Sequence, residues 1–367
     1  MSVTTPEATP RALGYRMPAE WEPHEATWLA WPHNREDWPG KFGPIPWVFA
    51  EIVRILAARE CVHILVQDEK AQKRAMGILR RAGAELKRVA FHVWPTDRVW
   101  TRDSGPIFVR DAAGQLAVTN WHFNAWAKYD DWRRDDLLPG RVAELLGLPE
   151  WQPAVRLASG EMRRLVLEGG SIDCNGAGAM LTTEECLLSE VQQRNPGVDR
   201  AQLEQAFHEY LGVEQVIWLN RGVAGDDTHG HVDDISRFVG PETIVTAVES
   251  NTRDENHAPL QENLKRLQAA RTPTGKPFNV VELPLPRPVA FRRQRLPASY
   301  ANFYVANGVV LVPTFHDPND RVALNTLAQV FPDREVIGIH SVDLIWGLGA
   351  LHCMTQQQPL GSTIKAE

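Results

Sequence analysis

No apolar run in this sequence approaches the roughly 20 residues needed to cross a bilayer, which excludes a helical membrane span. Cysteine is scarce, with four in 367 residues, at positions 61, 174, 186 and 353. None stands in the short paired spacing of a zinc site, and the density is far below that of a disulfide-stapled secreted scaffold. Four free thiols in a reducing compartment are therefore expected, and a cytoplasmic location with them. Residues 1–14 hold no basic segment followed by an apolar stretch, so no export signal is expected there. Long basic runs are missing too. With a net charge of −7 and a pI near 6.0, neither nucleic acid nor an anionic membrane is an expected partner, whereas a small cation is well tolerated. The Pro- and Arg-rich stretch 284–297 lacks a glycine–aromatic register and reads as a solvated loop.

What is present is an alternation of two patterns. Short β-branched apolar runs at 62–66, 106–109, 179–183, 243–247, 279–283 and 309–314 predict buried strands. Between them, helical periodicity is expected over 46–58, 69–82, 141–146, 200–211, 261–269 and 322–331, with Pro46 at a helix start, where its missing N–H costs nothing. Alternation throughout places the chain in the α/β or α+β class. No linker divides it, so residues 15–367 are expected to form one domain behind a flexible tail of residues 1–14.

Four stretches carry side chains suited to chemistry. Near the C-terminus, Gly347-Leu348-Gly349-Ala350-Leu351-His352-Cys353 delivers a cysteine into a setting of amides and hydroxyls rather than a greasy run, as a working thiol requires. Trp100-Thr101-Arg102-Asp103-Ser104-Gly105-Pro106 holds a carboxylate at the mouth of a strand. In Leu167-Glu168-Gly169-Gly170, a glutamate ends an apolar run and two glycines strip bulk from its surroundings; buried there it needs a partner, for which histidine is suited. The densest polar cluster is Asp226-Asp227-Thr228-His229-Gly230-His231-Val232-Asp233-Asp234. On a strand, His229, His231 and Asp233 would share one face. That face reads either as a metal site or as a base with an adjacent carboxylate. Asp103, Glu168 and His231 fall at roughly even intervals and Cys353 two such intervals later, the spacing of a recurring supersecondary unit that sends one residue per copy to a common axis.

These motifs, together with Met17-Pro18-Ala19-Glu20-Trp21-Glu22-Pro23-His24-Glu25-Ala26-Thr27-Trp28, resemble the agmatine deiminase and bacterial-type peptidylarginine deiminase family of the guanidine-modifying (pentein) superfamily. The resemblance implies a five-bladed α/β propeller of pseudo-fivefold ββαβ repeats around a central site. It implies Cys353 as nucleophile, His231 as general acid and base oriented by Glu168, and Asp103 with Asp233 as the carboxylate pair holding a guanidinium. The chemistry wants these types: a planar cation with paired N–H donors suits forked bonds from two carboxylates, and it brings its own positive charge, so neither metal nor cofactor is called for. Asn124 and Trp126 are candidate pocket residues. The chain departs from the family's pattern in Asn124-Ala125-Trp126-Ala127-Lys128, where two glycines are expected after the tryptophan, and in the broken glycine run before Cys353.

The leading expectation is hydrolysis of agmatine to N-carbamoylputrescine and ammonia, with peptidyl or free arginine as alternative substrates. From other classes stand a metal-dependent hydrolase built on His229, His231 and Asp233, and a non-catalytic binding propeller. Self-association into a homo-oligomer is left open by the sequence.

Overall fold

The computed structural model describes residues 8–362. Five units organise them, four three-stranded and one four-stranded, each containing an antiparallel strand pair followed by a helical crossover to a strand parallel to the second. The plainest is Tyr304–Ala306, Val309–Thr314, helix Pro318–Val330 and strand Glu335–His340. The same plan recurs in Ser236–Gly240, Thr243–Val248, helix His257–Ala269 and Asn279–Pro284, and again in Asp173–Cys174, Ala179–Thr183, helix Arg200–Leu211 and Gln215–Leu219. A further copy is Ile107–Arg110, Leu116–Thr119, helix Leu138–Leu146 and Glu150–Trp151. The last joins the two ends of the chain: Gln356–Pro359 pairs antiparallel with His24–Ala30, which runs through helix Ile45–Ala57 to Cys61–Val66 and on through Glu69–Arg81 to Val89–Val93. No helix among the described residues is long and apolar enough to cross a membrane.

Local chemistry sets these boundaries. Asp199 with Gln202 and Asp317 with Asp320 form reciprocal caps at helix starts, satisfying N–H groups that have no partner within the helix. Central strands such as Val309–Thr314 are apolar and buried over nearly their whole length, as strands covered on both faces must be. Of the expected tail 1–14, residues 1–7 lie outside the described residues. From Ala8 onward the chain is held, with Trp151 Nε1 donating to Ala8 O at 2.9 Å and a 3-10 turn at Arg11–Leu13.

Between the sheets the core turns polar. Arg237, fully buried on Ser236–Gly240, is paired with Asp173, donates to Glu20 Oε2 at 2.6 Å and to Phe303 O at 2.8 Å. Glu20 also accepts from Val305 N at 2.8 Å and contacts His352 Nε2 at 2.7 Å. Buried charges are tolerated only when so paired, and each of these partners comes from a different part of the chain.

Candidate active site

The cavity that receives the chemistry has a volume of about 80 Å³ and is lined at its buried end by Cys353, Asp103, Trp100 and Trp126. Asp103 sits on the short helix Thr101–Ser104, which is tied to the Cys353 turn: Arg102 N donates to Cys353 O at 3.1 Å and Thr101 Oγ1 to Met354 O at 2.8 Å. Its carboxylate accepts from Trp126 Nε1 at 2.9 Å and from Gly170 N at 3.1 Å. The glycine at 170 is a matter of room rather than of φ. A Cβ there would stand 2.6 Å from His231 Nδ1, 2.7 Å from Asp103 Oδ1 and 3.1 Å from Asp233 Oδ2, so the three groups converge on one point.

His231 lies between acids, its Nε2 3.7 Å from Glu168 Oε2 and its Nδ1 3.7 Å from Asp103 and 4.0 Å from Asp233. Glu168 is fully buried, and Arg194 Nε donates to its other oxygen at 3.0 Å. The expected partner of Glu168 is thus a pair, a histidine and an arginine. Cys353 Sγ is 3.7 Å from Asp233 Oδ2 and accepts from Asn302 Nδ2 at 3.0 Å. Asp233 Oδ2 is 2.7 Å from His352 Nδ1, whose ring continues to Glu20.

These contacts set the protonation states. Burial would raise Glu168, but Arg194, ahead of His231, outweighs it and brings the carboxyl down to about 2. Burial likewise works against charge on His231, yet Asp103, then Cys186 and Glu168, hold the imidazolium well above its ordinary range. His352 and then His231 overcome burial and keep Asp233 below the usual carboxylate value. Burial raises Asp103 to about 6, against His231 and with help from Asp233 and Glu168. The Cys353 thiol is pushed well up by burial, then by Asp233, Asp234 and Asp103. At rest the site is a neutral thiol beside an imidazolium and ionised carboxylates. Glu168 Oε2, Asp233 Oδ1 and both ring nitrogens of His231 are buried without a hydrogen-bond partner among the described residues; the two carboxylate oxygens are acceptors that a ligand rich in N–H groups would satisfy.

One expectation is corrected. His231 and Asp233 do not lie on a strand: Val232–Asp234 is a 3-10 turn just before Ser236–Gly240, so His229 does not share their face. His229 takes φ +65° and its Nε2 meets Ser189 Oγ at 3.2 Å. Among the described residues, the donors that gather within 4.8 Å of one another are Glu168, Cys186 and His231, not the set His229, His231 and Asp233. Asn124, a candidate pocket residue, has a local partner. Its side chain accepts from Ala127 N at 2.9 Å, capping a turn in which Ala125, Trp126 and Ala127 all have positive φ. Such strain persists only where surroundings over-determine it, and here the turn aims Trp126 at Asp103.

Sequence reasoning missed Asn302, Arg194, Cys186, Asp234 and the roles of His352 and Glu20. Asn302 had a signal. Asp103, Glu168, His231 and Cys353 each stand just before the first strand of a unit, and Asn302 does so before Tyr304–Ala306, filling the interval left empty between His231 and Cys353.

The model for the Porphyromonas-type peptidyl-arginine deiminase family matches residues 16–359. The agmatine deiminase of Stutzerimonas stutzeri (strain A1501) is 36% identical over 97% of this chain and 99% of its own. Among solved structures, the agmatine deiminase of Enterococcus faecalis superposes with a TM-score of 0.87 at 29% identity, covering 98% of this chain and 100% of that one. A Cys-to-Ser variant of the C. jejuni agmatine deiminase with substrate bound gives a TM-score of 0.82 at 29% identity, over 95% and 97%.

Proposed function

Since the chain belongs to the Porphyromonas-type peptidyl-arginine deiminase family, we propose that its cavity converts a guanidinium to a ureido group and ammonia, with agmatine as substrate and N-carbamoylputrescine as product. The observation that carries this reading is the convergence of His231, Asp103 and Asp233 on one point beside the Cys353 thiol. Asp103 and Asp233 hold the flat cation by charge-assisted bonds. As the cation binds, the Cys353 thiol releases its proton to solvent, because His231 is already protonated, and the thiolate adds to the guanidinium carbon. The C–N bond to one terminal nitrogen then breaks as His231 donates to it, releasing ammonia and leaving an amidino-thioether. Water, relieved of a proton by the same imidazole, attacks that carbon; the C–S bond breaks and returns the thiolate. Glu168, fixed by Arg194, holds the His231 ring in place.

The five units are read as five blades of a propeller around this cavity, the described residues from 15 to 362 forming one catalytic domain. Support comes from the recurrence of one strand–strand–helix–strand plan and from the pairing of Gln356–Pro359 with His24–Ala30. Four free cysteines suit a reducing, cytoplasmic setting.

Ammonia release measured over agmatine, free arginine and arginyl peptides tests the reading. Agmatine turnover is expected; turnover of arginyl peptides alone would reassign the substrate, and none with any of the three would end the proposal. A pH profile tests the clamp separately. Asp103 is ionised above about 6 and neutral below, and only its ionised form holds the cation. The thiol must also lose a proton, so log kcat/KM already falls as pH drops toward 6, and protonation of Asp103 should steepen that fall by a further unit of slope below about 6. A slope that stays unchanged from pH 7 to pH 5 would remove Asp103 from the clamp.

A further inference from the structure

The cavity runs from the buried Cys353 and Asp103 outward to Tyr129, Asp227, Arg98 and the exposed Glu36. The outer residues are where the end of a guanidine substrate remote from the reacting carbon would lie. Asp227 is the half-buried acid there, and it is already occupied. Lys128 Nζ forms an ion pair with it, and Tyr129 Oη donates to its Oδ2 at 2.7 Å. Lys128 reaches Asp227 because it follows directly on the left-handed turn Ala125–Ala127, the same turn that sends Trp126 inward to Asp103. Arg98, the other cation of the outer cavity, is held by Asp37 at 2.8 Å and Asp131 at 3.0 Å.

Resting on the deiminase reading, we propose that Lys128 is a specificity-determining residue: its ammonium competes for Asp227 with a substrate ammonium and offers a counter-charge to a substrate carboxylate. A guanidine with a terminal amine must displace Lys128 from Asp227 or sit beside a like charge. One with a terminal carboxylate meets the Lys128 ammonium, while Arg98 is already paired with Asp37 and Asp131. The lysine therefore shifts selectivity from aminoalkyl toward carboxyalkyl guanidines. It does so through binding, since the outer cavity lies away from the bonds that change, so the effect appears in KM rather than kcat. The side chain is about two-fifths exposed, which keeps the interaction in the modest range of solvent-screened pairs.

The test uses the full chain, Lys128→Met to remove the charge while keeping the stem, and Lys128→Arg to keep the charge. Agmatine and 4-guanidinobutanoate are the probes, each normalised to n-butylguanidine, whose tail is neutral. For Lys128→Met, relative kcat/KM should rise about three- to fivefold with agmatine and fall by about as much with 4-guanidinobutanoate, both through KM; the ratio of the two thus moves by about tenfold, or about 1.4 kcal/mol. Lys128→Arg should retain the wild-type ratio. A ratio that moves less than about twofold in Lys128→Met, or moves equally in both variants, overturns the inference while the deiminase reading stands. Failure of the wild-type chain to turn over any of the three overturns both.

Discussion

Cys353→Ala is expected to lower kcat for guanidine turnover by at least about 10⁴-fold, the scale on which enzymes lose activity with their nucleophile. The argument rests on position. Cys353 lines the cavity with its Sγ 3.7 Å from Asp233, whereas Cys186, the other thiol near His231, is fully buried and gathers with Glu168 and His231 rather than with the carboxylates of the clamp. Binding should survive, because removing a neutral thiol leaves both carboxylates and Trp126 in place. Single-turnover ammonia release and calorimetric titration with agmatine separate the two effects. Residual activity above about 1% of wild type would show that another group attacks, and the site as drawn would fall.

How much of this was legible in the sequence depends on what holds each residue in place. Strands such as Val309–Thr314 and helices such as Glu69–Arg81 follow from local periodicity, and the structure puts them within a few residues of the expected bounds. Gln356–Pro359 could not be read that way. Its three glutamines are buried, Trp28 Nε1 and Arg102 Nη1 donating to two of them and Gln356 Nε2 donating to Pro106 O, so a polar run behaves as a core strand. Asp103, Glu168, His231, Asp233 and Cys353 were recognisable as motifs because glycines or acids beside them break the local pattern. Asn302 has no such mark, and only the periodicity of the whole chain points to it. Lys128 and Asp227 lie far apart in sequence and meet through a strained turn, which no local rule predicts.

Asp233→Asn should change activity and thiol reactivity in opposite directions. The Asp233 carboxylate faces three partners: His352 at 2.7 Å, His231 at 4.0 Å and, in the deiminase reading, the substrate cation. An amide keeps the shape but loses the charge that grips the guanidinium, and kcat/KM with agmatine should drop by about 10³-fold, the usual scale for one well-placed electrostatic contact in a dry site. The same carboxylate is, after burial, the first cause that raises the Cys353 pKa. Removing it lowers that pKa, so in the absence of substrate more thiolate is present near neutral pH and iodoacetamide should alkylate Cys353 faster in the variant than in wild type. A merely damaged site would lose both properties together. The opposite signs follow from one arrangement, in which the acids that bind the cation also keep the nucleophile protonated until the cation arrives. Slower alkylation in a folded Asp233→Asn enzyme would break that link.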